Sequence, residues 1–369
     1  MNRTSSRSTL DVCLVAGGTG GHIFPAIAVA TALLDCDAET GIVFVTDSRP
    51  SSLDAVRRAG YEPKILPIEA GIHRDLAPRA IIQNLAAVLA IVRSLIESWI
   101  WLRKTSPSVV VGFGSYVSVP MILSARALGI PVLVHEQNAH AGLANQMAAR
   151  FGARCAVSVE GTNLRNAIVT GNPVRKEIAN VVRVPSEPPL VAFVGASLGS
   201  EALNSGALGL YDKWRHRTDI ELVLVTGPGK FAACQSRFDA LRRDGDALAF
   251  HMTGFEHDMA ALYTRATLMV TRGGGSVWEL AASGMPAIIV PWPLATEDHQ
   301  TANARACAAA GGAIHLSESE CTTENLERQI NTILDSRELL IAMGVSMHKM
   351  SRPNAAADLA SVIKAHRLP

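Results

Sequence analysis

Glycine-rich turns, each opening onto a helix and flanked by histidine, arginine or a carboxylate, carry most of the chemistry this chain can offer. Gly17-Gly18-Thr19-Gly20-Gly21-His22 follows an apolar run and leads into a helical stretch near Pro25. Glycines let the backbone turn sharply and let a ligand approach it closely. A helix start adds N–H groups and a partial positive charge, which suits phosphate. A nicotinamide fingerprint fits poorly, because Ile23 stands where its third glycine belongs. Asp47 is still placed to hold a ribose at the end of the next strand. His22, at the mouth of the turn, can remove a proton near neutral pH. A capping or buried, hydrogen-bonded histidine is the plain alternative.

Gly112-Phe113-Gly114-Ser115-Tyr116 repeats the strand-then-glycine pattern, and His135-Glu136-Gln137-Asn138 closes another strand. Four polar residues straight after Val132–Val134 suit a ligand-facing edge, with a structural turn as the other reading. Arg175, in Gly171-Asn172-Pro173-Val174-Arg175, is suited to clamp a diphosphate or to make a salt bridge. Further on, Gly195-Ala196-Ser197-Leu198-Gly199-Ser200 opens a helix with N–H and hydroxyl donors. Arg272-Gly273-Gly274-Gly275-Ser276-Val277-Trp278-Glu279 does so again. Glu279, one turn in, can accept two ribose hydroxyls or simply complement the helix dipole. Gln300, in Asp298-His299-Gln300, presents both a donor and an acceptor to a sugar. There is no HExxH, P-loop, GxSxG or EF-hand pattern.

These turns need rigid strands behind them. Short apolar runs at Leu10–Ala16, Gly41–Thr46, Val109–Gly112 and Pro131–His135 have the composition of buried parallel strands. The pattern restarts at Leu190–Val194 and continues at Glu221–Thr226, Ala247–Met252, Leu268–Thr271 and Pro286–Pro291. Helical stretches such as Met259–Arg265, Val277–Ser283 and His299–Ala310 lie between them. Such alternation predicts an α/β protein with parallel sheets covered on both faces. The proline-rich Arg183–Pro189 breaks the pattern, so the junction is placed at about residues 176–189. That divides the chain into domains of residues 1–178 and 179–351, each opening with a strand and a Gly/Ser loop. A terminal helix in 352–369 is expected. Its pattern leaves open whether it packs back on the first domain.

A length of 369 residues, 48% hydrophobic and 18% charged, suits two folded domains. The net charge of +1 argues against a nucleic-acid binder. Residues 1–175 carry 16 Lys/Arg against 12 Asp/Glu, a balance of +4; an anionic membrane surface would favour this, and ordinary scatter would also give it. The 6 cysteines form no CxxC pair and read as small apolar residues in a reducing compartment. Residues 1–9 are polar and expected to fray. The apolar run after them contains Asp11 and is a strand, not a signal segment. In Ala80–Trp101, Ile81, Leu85, Val88, Val92, Leu95, Trp99 and Leu102 share one helix face, widened by Ile82, Leu89, Ile96 and Ile100. Gln83, Asn84, Arg93 and Glu97 interrupt any membrane span. The face either packs on a sheet or, with Trp101, Arg103 and Lys104, touches lipid.

Taken together, GGTGGHIFPAIAVA (17–30), GFGSYVSVP (112–120), HEQNAHAGLAN (135–145), GNPVR (171–175), GASLGS (195–200), GGGSVWELAASGMPAIIVP (273–291) and DHQTANA (298–304) resemble the MurG glycosyltransferases of peptidoglycan synthesis. The resemblance runs from about residue 11 to 365. It implies a GT-B fold of two Rossmann-like domains with an interdomain cleft. It implies transfer of N-acetylglucosamine from UDP-GlcNAc to undecaprenyl-diphospho-N-acetylmuramoyl-pentapeptide at the cytoplasmic face of the membrane, by a peripheral protein. His22 matches the family's general base. Thr19, Gly20, Gly21, Asn138, Arg175, Ser197, Gly275, Ser276, Val277, Trp278, Glu279 and Gln300 match its UDP-sugar contacts, and Tyr116, His135 and Glu136 match its acceptor side. No resident cofactor or metal is implied, with a Mg²⁺ held loosely by the diphosphate left open. The chain departs from the family at Ser115, where glycine usually repeats, at Glu256, where an apolar residue is usual near the uracil, and in Arg272–Glu279, which is one residue short. A related enzyme acting on another lipid, or a UDP-GlcNAc epimerase, is the rival reading.

Overall fold

The computed structural model describes residues 10–18, 20–68, 78–295 and 298–366, with the backbone alone given for residues 10 and 78–88. Thr19, the polar residues 1–9 and the side chains of Ile81, Ile82, Gln83, Asn84, Leu85 and Val88 therefore lie outside the described part. The chain forms two compact units, Met1–Arg175 with Asn354–Pro369, and Lys176–Pro353. The 176–189 segment thus belongs wholly to the second unit.

In the first unit, β1 (Leu10–Val15), β2 (Gly41–Thr46), β3 (Lys64–Ile65), β4 (Val109–Gly112), β5 (Val132–Glu136), β6 (Arg154–Val157) and β7 (Ile168–Val169) form a sheet of order β3-β2-β1-β4-β5-β6-β7. Every pairing is parallel. Alternate side chains of β1 go to opposite faces, as the pleat requires. Val12 and Leu14 pack with Val29 and Leu33 of the helix Gly20–Cys36. Cys13 and Val15 pack with Met121 and Ile122 of the helix Ser118–Ala127 on the other face. The helix Gly20–Cys36 starts five residues before the expected position and runs through Pro25. Proline has no N–H for the Gly21 carbonyl, yet one lost bond near a helix start is tolerable. His22 therefore sits in a helical first turn.

The second unit repeats the scheme with β8 (Leu190–Val194), β9 (Glu221–Val225), β10 (Ala249–Thr253), β11 (Leu268–Thr271), β12 (Ala287–Ile289) and β13 (Ala313–His315), in the order β10-β9-β8-β11-β12-β13. All pairings are again parallel. Phe193, Leu222 and Leu224 meet Leu203, Tyr211 and Ile330 in one core. The proline-rich segment is a packed strap. Arg183 donates to the carbonyls of Gly284, Ala266 and Thr267 at 2.9–3.1 Å. Burial pushes its pKa down to about 10, so it stays charged at neutral pH.

The C-terminal helix Ala355–His366 returns to the first unit, where Leu359, Ala360 and Ile363 complete the core around Val29 and Leu33. Leu359→Ala is expected to destabilise that unit by about 2–5 kcal/mol, the usual cost of emptying a filled core site. Urea unfolding monitored by Trp99 and Trp101 fluorescence checks it. An unchanged midpoint would mean that the helix docks without supporting the core.

The helix Pro78–Thr105 divides the apolar face its sequence predicts. Its described packing face is Ser94, Ser98 and Leu102, all buried. Leu89, Val92, Ile96, Trp99 and Ile100 lie outside, with Leu89 and Ile100 each 62% exposed. Small residues let the helix sit close, which turns the bulky stripe outward. No described helix is long and apolar enough to cross a membrane. Among the cysteines, burial raises the thiol pKa of Cys13, Cys155, Cys234, Cys307 and Cys321. None of those five is set up as a nucleophile.

Candidate active site

Strand order reverses direction between β1 and β4 in the first unit. The loops leaving their carboxyl ends splay apart there, and open α/β sheets take ligands at such points. Gly17–Gly18 leaves β1, Phe113–Ser115 leaves β4, and Gln137–Gly142 leaves the neighbouring β5. Gly18 has φ +87°, and its N–H donates to Asp47 Oδ2 at 2.6 Å. Arg49 donates its N–H to Asp47 Oδ1 and its guanidinium to the Gly18 carbonyl. Asp47 is thus a buried brace for the turn and not a ribose ligand: one oxygen accepts from Gly18 N and the other from Arg49 N in its own loop.

His22 lies at this mouth with Nδ1 3.1 Å from Gln137 Oε1. Gln137 is buried, and its Nε2 donates to the Phe113 carbonyl at 3.1 Å and reaches His135 Nδ1 at 3.3 Å. His135 Nε2 lies 3.0 Å from the Gly171 carbonyl. His135 is fully buried, and burial pushes its pKa down to about 4. Glu136 is buried as well. One of its oxygens accepts from Asn138 N and Nδ2, the other from Gly142 N and Asn145 Nδ2, at 2.8–3.1 Å. The expected acceptor-side pair therefore lies beneath the surface: His135 supports Gln137, and Glu136 shapes the loop that presents Asn138. Tyr116, by contrast, is 59% exposed. Arg175 places its guanidinium 4.2 Å from the centre of the Phe24 ring. A Cβ on Gly20 would lie 2.7 Å from that same ring. The glycine keeps Phe24, and through it Arg175, beside the turn.

His135 predicts a pH signature. Its folded pKa of about 4 lies below the ordinary histidine value of 6.5, which holds for the unfolded chain. Between those values the unfolded state binds more protons, so stability falls as pH drops through the window. Unfolding of wild type at pH 7 and pH 5 should show that loss, and His135→Gln should show less of it. Equal slopes for both proteins would assign the acid sensitivity elsewhere.

In the second unit the reversal falls between β8 and β11. Gly195–Ser200 leads into the helix Glu201–Trp214, capped by Ser200, whose hydroxyl accepts from Leu203 N. Gly199 has φ +70°, and a Cβ there would stand 1.8 Å from the Thr226 carbonyl oxygen. The loops after β8 and β9 touch backbone to backbone. Lys230 donates to the Leu198 carbonyl at 2.8 Å and holds the loop from outside. Ser197 is half-buried on its rim. After β11, Gly275 precedes the helix Ser276–Ser283. Val277 is buried, while Ser276, Trp278 and Glu279 stay partly exposed. Tyr263 OH donates to Glu279 Oε2 at 3.3 Å. Gln300 Oε1 accepts from Trp292 N at 3.0 Å, which leaves its amide N–H groups to serve as donors. A Cβ on Gly273 would lie 2.3 Å from the Gln300 carbonyl. Arg272 anchors this end through the Val290 and Pro291 carbonyls and an ion pair with Glu318. Glu256 turns its carboxylate onto Asp258 N. Among the described residues no three His, Cys, Asp or Glu gather to hold a metal.

Residues 12–157 match the glycosyltransferase family 28 N-terminal domain, and residues 190–360 match its C-terminal domain. A relative from Syntrophotalea carbinolica is 33% identical over 96% of this chain and 98% of its own length. It is named UDP-N-acetylglucosamine–N-acetylmuramyl-(pentapeptide) pyrophosphoryl-undecaprenol N-acetylglucosamine transferase. The chain belongs to the MurG family of glycosyltransferases. The crystal structure of Acinetobacter baumannii MurG superposes with a TM-score of 0.75 at 29% identity, covering 96% of this chain and 99% of that one. The expected two-domain, Rossmann-type GT-B arrangement is the MurG one. A UDP-GlcNAc 2-epimerase from Neisseria meningitidis shares the fold, with a TM-score of 0.62 at 13% identity over 96% of this chain and 99% of that one. For this MurG family member, Phe24, Lys230 and Arg272 brace the candidate site and had no role in the sequence reading, which placed Gln137 on a ligand-facing edge but gave it no partner. Gln137 alone carried a signal, since it alternates with His135 along the strand end.

Proposed function

We propose that this chain transfers N-acetylglucosamine from UDP-GlcNAc to undecaprenyl-diphospho-N-acetylmuramoyl-pentapeptide, with inversion at the anomeric carbon. The observation that carries this reading is 33% identity, held over 96% of the chain, to a transferase of that name. His22 takes the proton from the acceptor's 4-hydroxyl as that oxygen attacks. Arg175, and the helix start behind Gly195–Ser200, offer positive potential to the departing diphosphate. Glu279 receives the ribose hydroxyls, the Gly275–Trp278 backbone meets the nucleoside, and Gln300 donates to the sugar. Thr19, Gly20, Gly21, Asn138 and Ser197 complete the donor contacts, and Tyr116 faces the acceptor.

The outward stripe Leu89, Val92, Ile96, Trp99 and Ile100, bordered by Arg93, Arg103 and Lys104, supports a peripheral seat on the cytoplasmic membrane face. Ile96→Glu with Ile100→Glu should lower sedimentation with anionic vesicles by at least about 10-fold, as two buried aliphatic side chains are lost from the contact. Retained binding would place the contact elsewhere.

The transfer reading is tested by UDP release from UDP-GlcNAc with and without a short-chain analogue of the lipid-linked acceptor. Release that depends on acceptor is expected. Release without it would replace the transferase reading with a hydrolase or epimerase.

A further inference from the structure

We infer that Gln137 is a positioning residue that fixes the tautomer of His22, placing the ring proton on Nδ1 and the basic lone pair on Nε2. The inference rests on the reading of His22 as general base. It follows from counting donors and acceptors along a chain of four groups, three of them buried and the last, His22, half-buried.

The chain starts at the Gly171 carbonyl, which can only accept. His135 Nε2, 3.0 Å away, must therefore carry a proton, since the Ser158 hydroxyl, 3.5 Å from the same nitrogen, donates instead to the Glu136 carbonyl at 3.0 Å. The His135 ring is fully buried and neutral near pH 7, because burial holds its pKa at about 4. Its Nδ1 accordingly bears a lone pair. Gln137 Nε2 then faces three acceptors: this lone pair at 3.3 Å, the Phe113 carbonyl at 3.1 Å and the His135 carbonyl at 3.4 Å. Only the NH₂ end of the amide can occupy that place. A flipped amide would set oxygen against all three. The other end, Oε1, is thereby aimed at His22 Nδ1, 3.1 Å away. An amide oxygen cannot donate, so His22 Nδ1 must.

In water a neutral histidine favours the proton on Nε2, so the network selects the less common form. The device is the one a buried carboxylate performs behind a catalytic imidazole, here done by a neutral amide. It also survives turnover. When Nε2 takes a proton, Nδ1–H keeps donating to the same oxygen, and no buried group loses its partner. His135, the residue expected on the acceptor side, acts two steps back by orienting Gln137.

Long-range ¹H–¹⁵N correlation of histidine-labelled, full-length protein tests this, with the His22 signals assigned by their loss in His22→Ala. Wild type is expected to show the Nδ1–H pattern at neutral pH. Gln137→Leu is expected to shift it towards Nε2–H and to lower kcat by about 10²-fold, the lower end of what general-base assistance supplies. KM for UDP-GlcNAc should stay within about twofold, since the amide touches the base and not the nucleotide. An Nε2–H pattern in wild type overturns the inference, whether or not the variant folds. So does wild-type kcat in Gln137→Leu, or a loss of kcat with the tautomer unchanged. Wild-type turnover in a folded His22→Ala is a separate failure, of the general-base reading itself.

Discussion

His22→Ala should lose kcat by about 10²–10⁴-fold, the range that general-base assistance contributes. A sugar hydroxyl is a poor nucleophile while it keeps its proton, and its attack on the anomeric carbon must be matched by proton removal. His22 is the histidine at the β1 turn, in a helical first turn and braced through Nδ1 by Gln137. His135 cannot replace it, being fully buried and tied to Gly171. UDP-GlcNAc affinity should change little, because the lost interaction matters in the transition state. Single-turnover transfer, alongside UDP binding by calorimetry, separates the two. Wild-type turnover in a folded variant would remove His22 from the chemistry.

Gly199→Ala is expected to raise KM for UDP-GlcNAc by about 10²-fold or more, the scale on which a displacement of about 1 Å disturbs a site. Two effects combine. Gly199 sits at φ +70°, where side chains are strained, and an added Cβ would stand 1.8 Å from the Thr226 carbonyl. The neighbour is backbone of the loop after β9 and cannot swing aside. Either that loop or Gly195–Ser200 must move, and the second presents the helix start of Glu201–Trp214 that we propose meets the diphosphate. Gly229→Ala is the control, since a Cβ there meets nothing within 4 Å and φ is not positive. Donor titration of both variants decides. Matching KM values would mean that the Gly195–Ser200 loop tolerates repositioning, or that it does not hold the diphosphate.

Much of this architecture was legible before the fold was seen. Gly41–Thr46, Val109–Gly112, Leu190–Val194 and Leu268–Thr271 occupy the stretches their composition predicts, because strands buried on both faces read as unbroken β-branched runs. Lys64–Ile65, Arg154–Val157, Ile168–Val169 and Ala313–His315 gave no usable signal. They are two to four residues long and lie towards the sheet margins, where pairing depends on neighbours distant in sequence. The site was readable where backbone geometry restricts residue type, as at Gly199 and Gly273. It was not readable where function passes from one side chain to another. Nothing in the run HEQN says that Glu136 is spent on the loop to Asn145, or that Gln137 reaches His22 across 115 positions. For the helix Pro78–Thr105 the sequence left both readings open, packing or an outward face, for a similar reason. Periodicity marks an apolar face, but only packing shows that Ser94 and Ser98 are the buried side.

The central claim is base-assisted, inverting transfer to a lipid-linked muramoyl acceptor, and the linkage in the product tests it most directly. The purified protein would be incubated with ¹³C-labelled UDP-GlcNAc, an α-glycoside, and a short-chain analogue of undecaprenyl-diphospho-N-acetylmuramoyl-pentapeptide, and the labelled product analysed by mass and by its anomeric NMR coupling. The account predicts a lipid-linked disaccharide in which N-acetylglucosamine is joined β to the 4-oxygen of the muramoyl sugar. An α linkage, or label recovered only as a free or epimerised sugar, would contradict it.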